Sequence, residues 1–232
     1  LTDPVWWNDF VTTAAITVIT VAIELVLGLW FAFVMLRIIR GRGPLRTAIL
    51  IPYGIVTVVS AFIWRYAFAI DSGFVNQWLN LTGFDWFGDR WSAIFVICLS
   101  EIWKTTPFIS LLLLAGLVQV PEDMQEAAKV DGATAWQRLW KVTLPNMKAA
   151  IMVALLFRTL DAWRIFDNPY VMTAGANNTE PISFLAYRQN VTLVNLGMGS
   201  AVSVLLFLTV VAIAWIFVKV FKTDLSQVRG DQ

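Results

Sequence analysis

The sequence has no histidine, one cysteine and few charged residues in 232 positions. Without histidine, and with Cys98 alone in an apolar run, the chain cannot form the common zinc sites, an internal disulfide or a Cys–His nucleophile pair. No glycine is followed by lysine, so the phosphate-binding loop of P-loop ATPases is also absent. The net charge of +1 gives no reason to expect nucleic-acid binding. We expect no metal site here, and any cofactor chemistry must come from a partner.

Apolar residues dominate what is present, with 58% hydrophobic residues, 14% charged residues and a mean hydropathy of +0.69. Soluble domains have roughly 25% charged residues, and a helix needs about 20 apolar residues to cross a bilayer. Five charge-poor runs approach or exceed this length: residues 10–36, 47–64, 91–120, 147–166 and 196–218. The fourth is the weakest because Arg158, Asp161 and Arg164 interrupt it. We predict an all-α membrane protein in which residues 1–232 form one helical bundle with five spans.

The basic residues predict how this bundle is oriented. Cytoplasmic segments of membrane proteins are enriched in Lys and Arg. One side of the predicted bundle collects eleven of the seventeen basic residues: Arg37, Arg40, Arg42, Arg46, Lys129, Arg138, Lys141, Lys148, Lys219, Lys222 and Arg229. The C-terminus should therefore be cytoplasmic, and residues 71–90 and 169–189 should form external loops.

One polar segment, residues 121–145, separates the third and fourth predicted spans. Pro121 suits the start of a helix, and Gly132 can adopt the left-handed conformation that ends one. Thr134 and Gln137 then form a capping box for a second short helix. Physical reasoning alone leaves two interpretations open. The segment is either a helical hairpin on the membrane surface or a docking element for a separate protein.

A motif within this segment favours docking. The coupling motif, as we call it, consists of Glu126, Ala127, Ala128, Asp131, Gly132, Leu144 and Pro145. It resembles the EAA loop of the permease subunits of bacterial ABC importers, and the resemblance implies that its first five residues insert into a cleft on an ATP-binding subunit. It also implies the helical fold of the type I importer permeases, in the bacterial cytoplasmic membrane. Such permeases usually have six spans, so a further span before Leu1 is expected.

Three other stretches resemble the carbohydrate-uptake branch of this family, which includes maltose, glycerol-phosphate and trehalose permeases. They are Gly41-Arg42-Gly43, residues 103–108 and residues 157–167. The chain is particularly similar to the A-type trehalose permeases of mycobacteria. The resemblance implies a sugar cargo, such as the disaccharide trehalose, and a second permease subunit. It further implies two ATP-binding subunits that hold ATP and Mg, and an extracytoplasmic sugar-binding protein or lipoprotein.

Charged residues inside the predicted spans need partners. Those that we assign to the membrane interior are Glu24, Glu101, Lys104, Arg158 and Asp161. A charge in hydrocarbon costs about 2.5–3.5 kcal/mol, so each should be paired or face water. Glu101 and Lys104 are three residues apart, as are Arg158 and Asp161, which predicts two pairs along helix faces. Glu24 should meet a basic residue of another span. These residues either fix helix packing or line the pathway of the sugar.

Sugar recognition combines aromatic faces with fixed hydrogen-bonding groups. The predicted substrate pathway contains Trp103, Lys104, Arg158, Asp161, Trp163, Asp167, Asn168 and Tyr170. Trp163 and Tyr170 can equally be anchors at the membrane interface. The chain itself should be non-catalytic. Two other functions stay open: a secondary transporter with Glu24 or Asp161 as its proton site and, with less support, a membrane-embedded enzyme.

Overall fold

The computed structural model describes residues 3–38, 41–81 and 83–221, so Arg40, Lys222 and Arg229 lie outside the described residues. Within these ranges every regular element is helical, as predicted. The helices are α1 (Pro4–Arg37), α2 (Arg42–Gly54), α3 (Thr57–Ala67), α4 (Phe74–Leu79), α5 (Arg90–Val118), α6 (Glu122–Val130), α7 (Ala135–Arg138), α8 (Leu144–Asn146), α9 (Lys148–Ala162), α10 (Asp167–Met172), α11 (Ile182–Tyr187) and α12 (Leu196–Phe221). Leu139–Thr143 and Arg188–Thr192 form π-helical turns, and Ala176–Asn178 forms a 3₁₀ turn.

Helix α5 forms the centre of the bundle. It packs along α1 over the most extensive helix–helix interface and also contacts α2 and α9. The most apolar part of α5 is 72% buried, whereas the corresponding part of α12 is only 6% buried. Because so little of α12 is buried, its apolar surface remains available to lipid or to another subunit.

Helices α1 and α5 approach closely at Gly28, where a Cβ atom would lie 2.5 Å from Cγ2 of Ile109.

The structure adds detail to the five predicted spans. Among the described helices, α1, α5 and α12 are long and apolar enough to cross a membrane. The predicted second span is broken into α2 and α3, whose axes differ by 87°. Pro52, which has no N–H to donate, lies just before this break, and Ile55 is extended. The predicted fourth span contains α9, whose 15 residues are fewer than a straight crossing requires.

Residues 169–189, predicted as an external loop, have more regular structure than a loop usually has. Most of this segment is helical, in α10, in α11 and in the 3₁₀ turn between them. Helix α10 packs on α3, and α11 packs on α12. Val171, Ile182 and Leu185 are buried in the apolar core. Their burial explains the helical packing, because an extended loop would leave these side chains in water.

Candidate functional site

A network of charged side chains joins three helices near the middle of the bundle. The guanidinium of Arg158 on α9 donates four hydrogen bonds to three carboxylates. Nε and Nη2 bond to Glu24 of α1 at 2.5 and 3.0 Å. Nη2 also bonds to Glu101 of α5 at 3.1 Å, and Nη1 bonds to Asp161 at 2.8 Å. Glu24 thus meets a basic residue of another helix, and Arg158 and Asp161 pair within α9.

The predicted pair of Glu101 and Lys104 does not form. Glu101 instead accepts hydrogen bonds from Arg158 and from Nδ2 of Asn168, at 2.7 Å from the latter. The Lys104 ammonium lies 5.6 Å from the ring centre of Tyr53, in a cation–π contact. A spacing of three residues places two side chains on one face, but partners from neighbouring helices are better placed for both.

The network borders a cavity of about 430 Å³, which we call the central cavity. Six charged side chains line it: Glu101, Lys104, Arg158, Asp161, Arg164 and Asp167. Tyr53, Thr57, Thr105 and Phe166 add aromatic rings and hydroxyl groups. An adjoining cavity of about 380 Å³ shares Tyr53 and Asp161 and has a more apolar lining that includes Phe108 and Phe157. Together they provide balanced charges, hydroxyl groups and aromatic faces in one region.

The structure divides the predicted substrate-pathway residues into two groups. Lys104, Arg158, Asp161 and Asp167 line the central cavity. The others do not: Trp103, Trp163, Asn168 and Tyr170.

Each residue of the second group has another environment. Trp163 lies in the apolar core, with Nε1 donating to Thr209 at 2.9 Å. Trp103 packs edge-on against Trp64, and Tyr170 stacks on Phe166 with ring centres 5.2 Å apart. Asn168 is buried and orients Glu101. Aromatic residues in a membrane bundle also serve packing, so residue type alone could not separate these roles.

Several cavity residues were not predicted, among them Tyr53, Thr57 and Arg164. Tyr53 and Thr57 lie on either side of the break between α2 and α3. A continuous span gave no reason to single them out, whereas the break turns both toward the cavity. Pro52 was the available signal, because a proline can break a helix. Irregular backbone at membrane depth is tolerated only where it is buried in protein or lines a water-filled cavity.

The coupling segment forms two helices, as predicted. Helix α6 ends before Gly132, which has a φ of +78°. Thr134 and Gln137 form the reciprocal capping box that begins α7. The second helix is less regular than expected, because a π-helical turn separates α7 from α8. Nε2 of Gln125 donates to Oγ1 of Thr143 at 2.9 Å and so fastens α6 to that turn.

The coupling motif is divided between the two ends of this segment. Glu126, Ala127 and Ala128 lie on α6, of which no residue is buried. Leu144 and Pro145 begin α8, on the far side of the π-helical turn. The apolar side chain of Val130 on α6 is 87% exposed. Most of the surface of α6 is therefore exposed in the described part of the chain.

Comparison with known proteins agrees with this architecture. Residues 5–226 match the family model described as binding-protein-dependent transport system inner membrane component. The chain is 53% identical to the trehalose transport system permease protein SugA of Mycobacterium tuberculosis, over 95% of this chain and 72% of that protein. It is 40% identical to the trehalose/maltose transport system permease protein MalF of Thermococcus litoralis, over 94% of this chain and 76% of that protein.

A solved structure shares the fold. The chain superimposes on a bacterial ABC transporter involved in alginate import with a TM-score of 0.86 and 19% identity, covering 96% of this chain and 81% of that one. The predicted family is therefore confirmed. The chain belongs to the binding-protein-dependent transport system inner membrane components and is a non-catalytic, membrane-embedded permease subunit of the ABC importer type.

Proposed function

We propose that this chain forms half of the translocation pathway for a disaccharide such as trehalose in an ATP-driven importer. The complete importer would contain a second permease subunit, two ATP-binding subunits and an extracytoplasmic sugar-binding protein or lipoprotein. The ATP-binding subunits hold ATP and Mg, and the C-terminus of this chain is cytoplasmic. The names of the relatives in M. tuberculosis and T. litoralis support trehalose as the cargo.

The lining of the central cavity carries the proposal of a sugar. Its three acidic and three basic side chains balance, so the cavity does not favour an anion or a cation. A disaccharide such as trehalose is uncharged, and its hydroxyl groups both donate and accept hydrogen bonds, so it can pair with carboxylates and with guanidinium groups alike. Tyr53 and Phe166 offer ring faces for the apolar side of a pyranose.

Uptake into proteoliposomes that contain the whole importer tests this pathway. Asp167→Ala should lower trehalose uptake at saturating binding protein by about tenfold, because a hydrogen bond to a charged group contributes about 1.5–3 kcal/mol. Asp71→Ala removes an exposed carboxylate that does not line the cavity, and it should transport normally. Equal uptake by both variants and the wild type would remove Asp167 from the pathway.

The exposure of α6 supports its proposed role as the coupling helix. Its residues gain little burial from the rest of the described chain, and its small Ala127 and Ala128 side chains permit close approach of another protein. Gly132 has open space around it, because no atom lies within 4 Å of the position that a Cβ would occupy. A side chain added at Gly132 therefore meets nothing in this chain, and any effect must come from the backbone or from a partner.

Asparagine at Gly132 separates these two causes, because asparagine tolerates the left-handed conformation. Gly132→Asn should weaken co-purification of the ATP-binding subunit and lower ATP-driven uptake. Gly83→Asn is a matched control, since Gly83 is also left-handed, with φ of +81° and open surroundings, but lies outside the coupling segment. If both variants assemble and transport alike, the ATPase does not dock at Gly132.

A further inference from the structure

A second polar cavity, the outer pocket, lies at the end of α1 opposite the coupling segment. It has a volume of about 460 Å³ and is lined by Asn8, Asp9, Gly175, Asn178, Glu180 and Arg188, with Pro4 and Val5 at its edge. The other end of α1 contributes Phe33 and Arg37 to a cavity shared with Gln125 and Trp136 of the coupling segment. The predicted orientation places the coupling segment inside, so the outer pocket faces the extracytoplasmic side.

Two carboxylates of the outer pocket have oxygens without a partner. Asp9 is 1% exposed and Glu180 is 6% exposed. Oδ1 of Asp9 accepts a hydrogen bond from Asn8 at 3.2 Å, and Oε2 of Glu180 pairs with Arg188 at 3.2 Å. Oδ2 of Asp9 and Oε1 of Glu180 have no hydrogen-bond partner in the described part of the chain. Buried oxygens of this kind are expensive unless something donates to them.

The charges of the pocket favour a cationic donor. When both carboxyls are ionised, Asp9 and Glu180 contribute two negative charges and Arg188 one positive charge, which leaves an excess of one negative charge. Arg90 does not line the pocket, and it already donates to Asn8 at 2.7 Å and to Thr12 at 3.0 Å. A bare metal ion fits poorly, because no cluster of three or more metal-binding side chains occurs among the described residues. The volume suits a long organic group instead.

We propose that the outer pocket receives a lysine or arginine side chain of the extracytoplasmic sugar-binding protein. This assignment rests on the proposed importer function. The incoming ammonium or guanidinium donates to Asp9 and to Glu180 and neutralises the excess charge. Because both carboxylates are already buried and held in place, the pocket is organised for this group before the partner arrives. Asp9 lies on α1 and Glu180 follows the 3₁₀ turn, so one side chain would engage both elements.

The assay is ATP hydrolysis by the complete importer in nanodiscs, titrated with sugar-loaded binding protein. Asp9→Asn should raise the binding-protein concentration for half-maximal stimulation about tenfold, since a buried charge pair at an interface is worth at least this much. Glu180→Gln should act in the same direction. Both variants should leave ATP hydrolysis without binding protein unchanged. Asp3→Asn is the control, because it removes a nearby exposed carboxylate that caps α1, and asparagine caps equally well.

Ionic strength gives a second measurement. Added salt should weaken stimulation of the wild type more than that of Asp9→Asn, because the variant lacks the attraction that salt screens. Wild-type affinity in both Asp9→Asn and Glu180→Gln would overturn the outer pocket as a docking site while leaving the importer function intact. If the binding protein fails to stimulate even the wild type, the importer function fails and this proposal fails with it.

Discussion

Replacing Arg158 by methionine removes the cation shared by Glu24, Glu101 and Asp161 but keeps a long side chain that can pack among apolar neighbours. Glu24 is fully buried and Glu101 nearly so. Breaking a buried ion pair by removing one partner costs about 3–5 kcal/mol, because the remaining charge is left unpaired. The side chain of Asp161 is 65% exposed, so water replaces most of what Arg158 gives it. That pair should contribute less than about 1 kcal/mol.

Thermal unfolding of the purified importer, followed by the fraction that still elutes as intact complex, measures this difference. A loss of 1 kcal/mol lowers the melting temperature by roughly 2–4 °C for a chain of this size, so Arg158→Met should lower it by roughly 6–20 °C. Asp161→Asn should lower it by no more than roughly 4 °C. Adding Glu24→Gln and Glu101→Gln to Arg158→Met should recover part of the loss, because the buried charges are then gone.

Similar melting temperatures for Arg158→Met and Asp161→Asn would refute this reasoning. Such a result would mean that Glu24 and Glu101 are already stabilised without Arg158. A failure of the two glutamine substitutions to restore any stability would point instead to lost packing around the Arg158 side chain. The two outcomes differ, so the contribution of charge can be separated from the contribution of shape.

Three smaller changes are also predictable. Gly28→Ala should cost about 1–3 kcal/mol, because its Cβ would lie 2.5 Å from Ile109, and a lower melting temperature than that of Gly43→Ala, which has open surroundings, checks this. Thr134→Ala should cost about 0.5–2 kcal/mol locally, seen as faster amide hydrogen exchange in α7. Burial raises the pKa of Glu180 above its ordinary value of 4.5, so the folded state holds the proton more tightly than the unfolded state. The contribution of Glu180 to the free energy of unfolding should therefore fall as the pH rises from 4.5 to the raised pKa. Glu180→Gln should flatten the melting-temperature profile over that interval.

The features that the sequence predicted well are local ones. The left-handed conformation of Gly132 and the capping box of Thr134 and Gln137 depend on residues within a few positions of each other. The coupling motif likewise lies within one polar segment, residues 121–145, so its resemblance to a known family is visible in the sequence without the fold. Family membership also disfavours the two alternatives, a proton-coupled carrier and a membrane enzyme.

The features that the sequence predicted poorly depend on distant residues. Glu24 and Arg158 are 134 positions apart, and the sequence indicated only that Glu24 needed some basic partner. Glu101 had a candidate three residues away in Lys104, yet Arg158 and Asn168 from later helices lie nearer to it. The bend between α2 and α3 was missed for a related reason. Residues 47–64 are uncharged throughout and were predicted as one span, and Pro52 was the one local sign of a break.

The long-range contacts of Arg158 connect the coupling segment with the central cavity. Helix α9 follows the coupling segment almost directly, and Arg158 lies ten residues after Lys148, its first residue. At 1.5 Å per residue, the coupling segment is on the order of 15 Å from the Arg158 network along one helix. Asp161, one turn further, lines the central cavity. In the proposed importer, a displacement of the coupling segment by ATP binding would thus move α9 as a unit. Arg158 would then carry that movement to α1 and α5, because it is hydrogen-bonded to both.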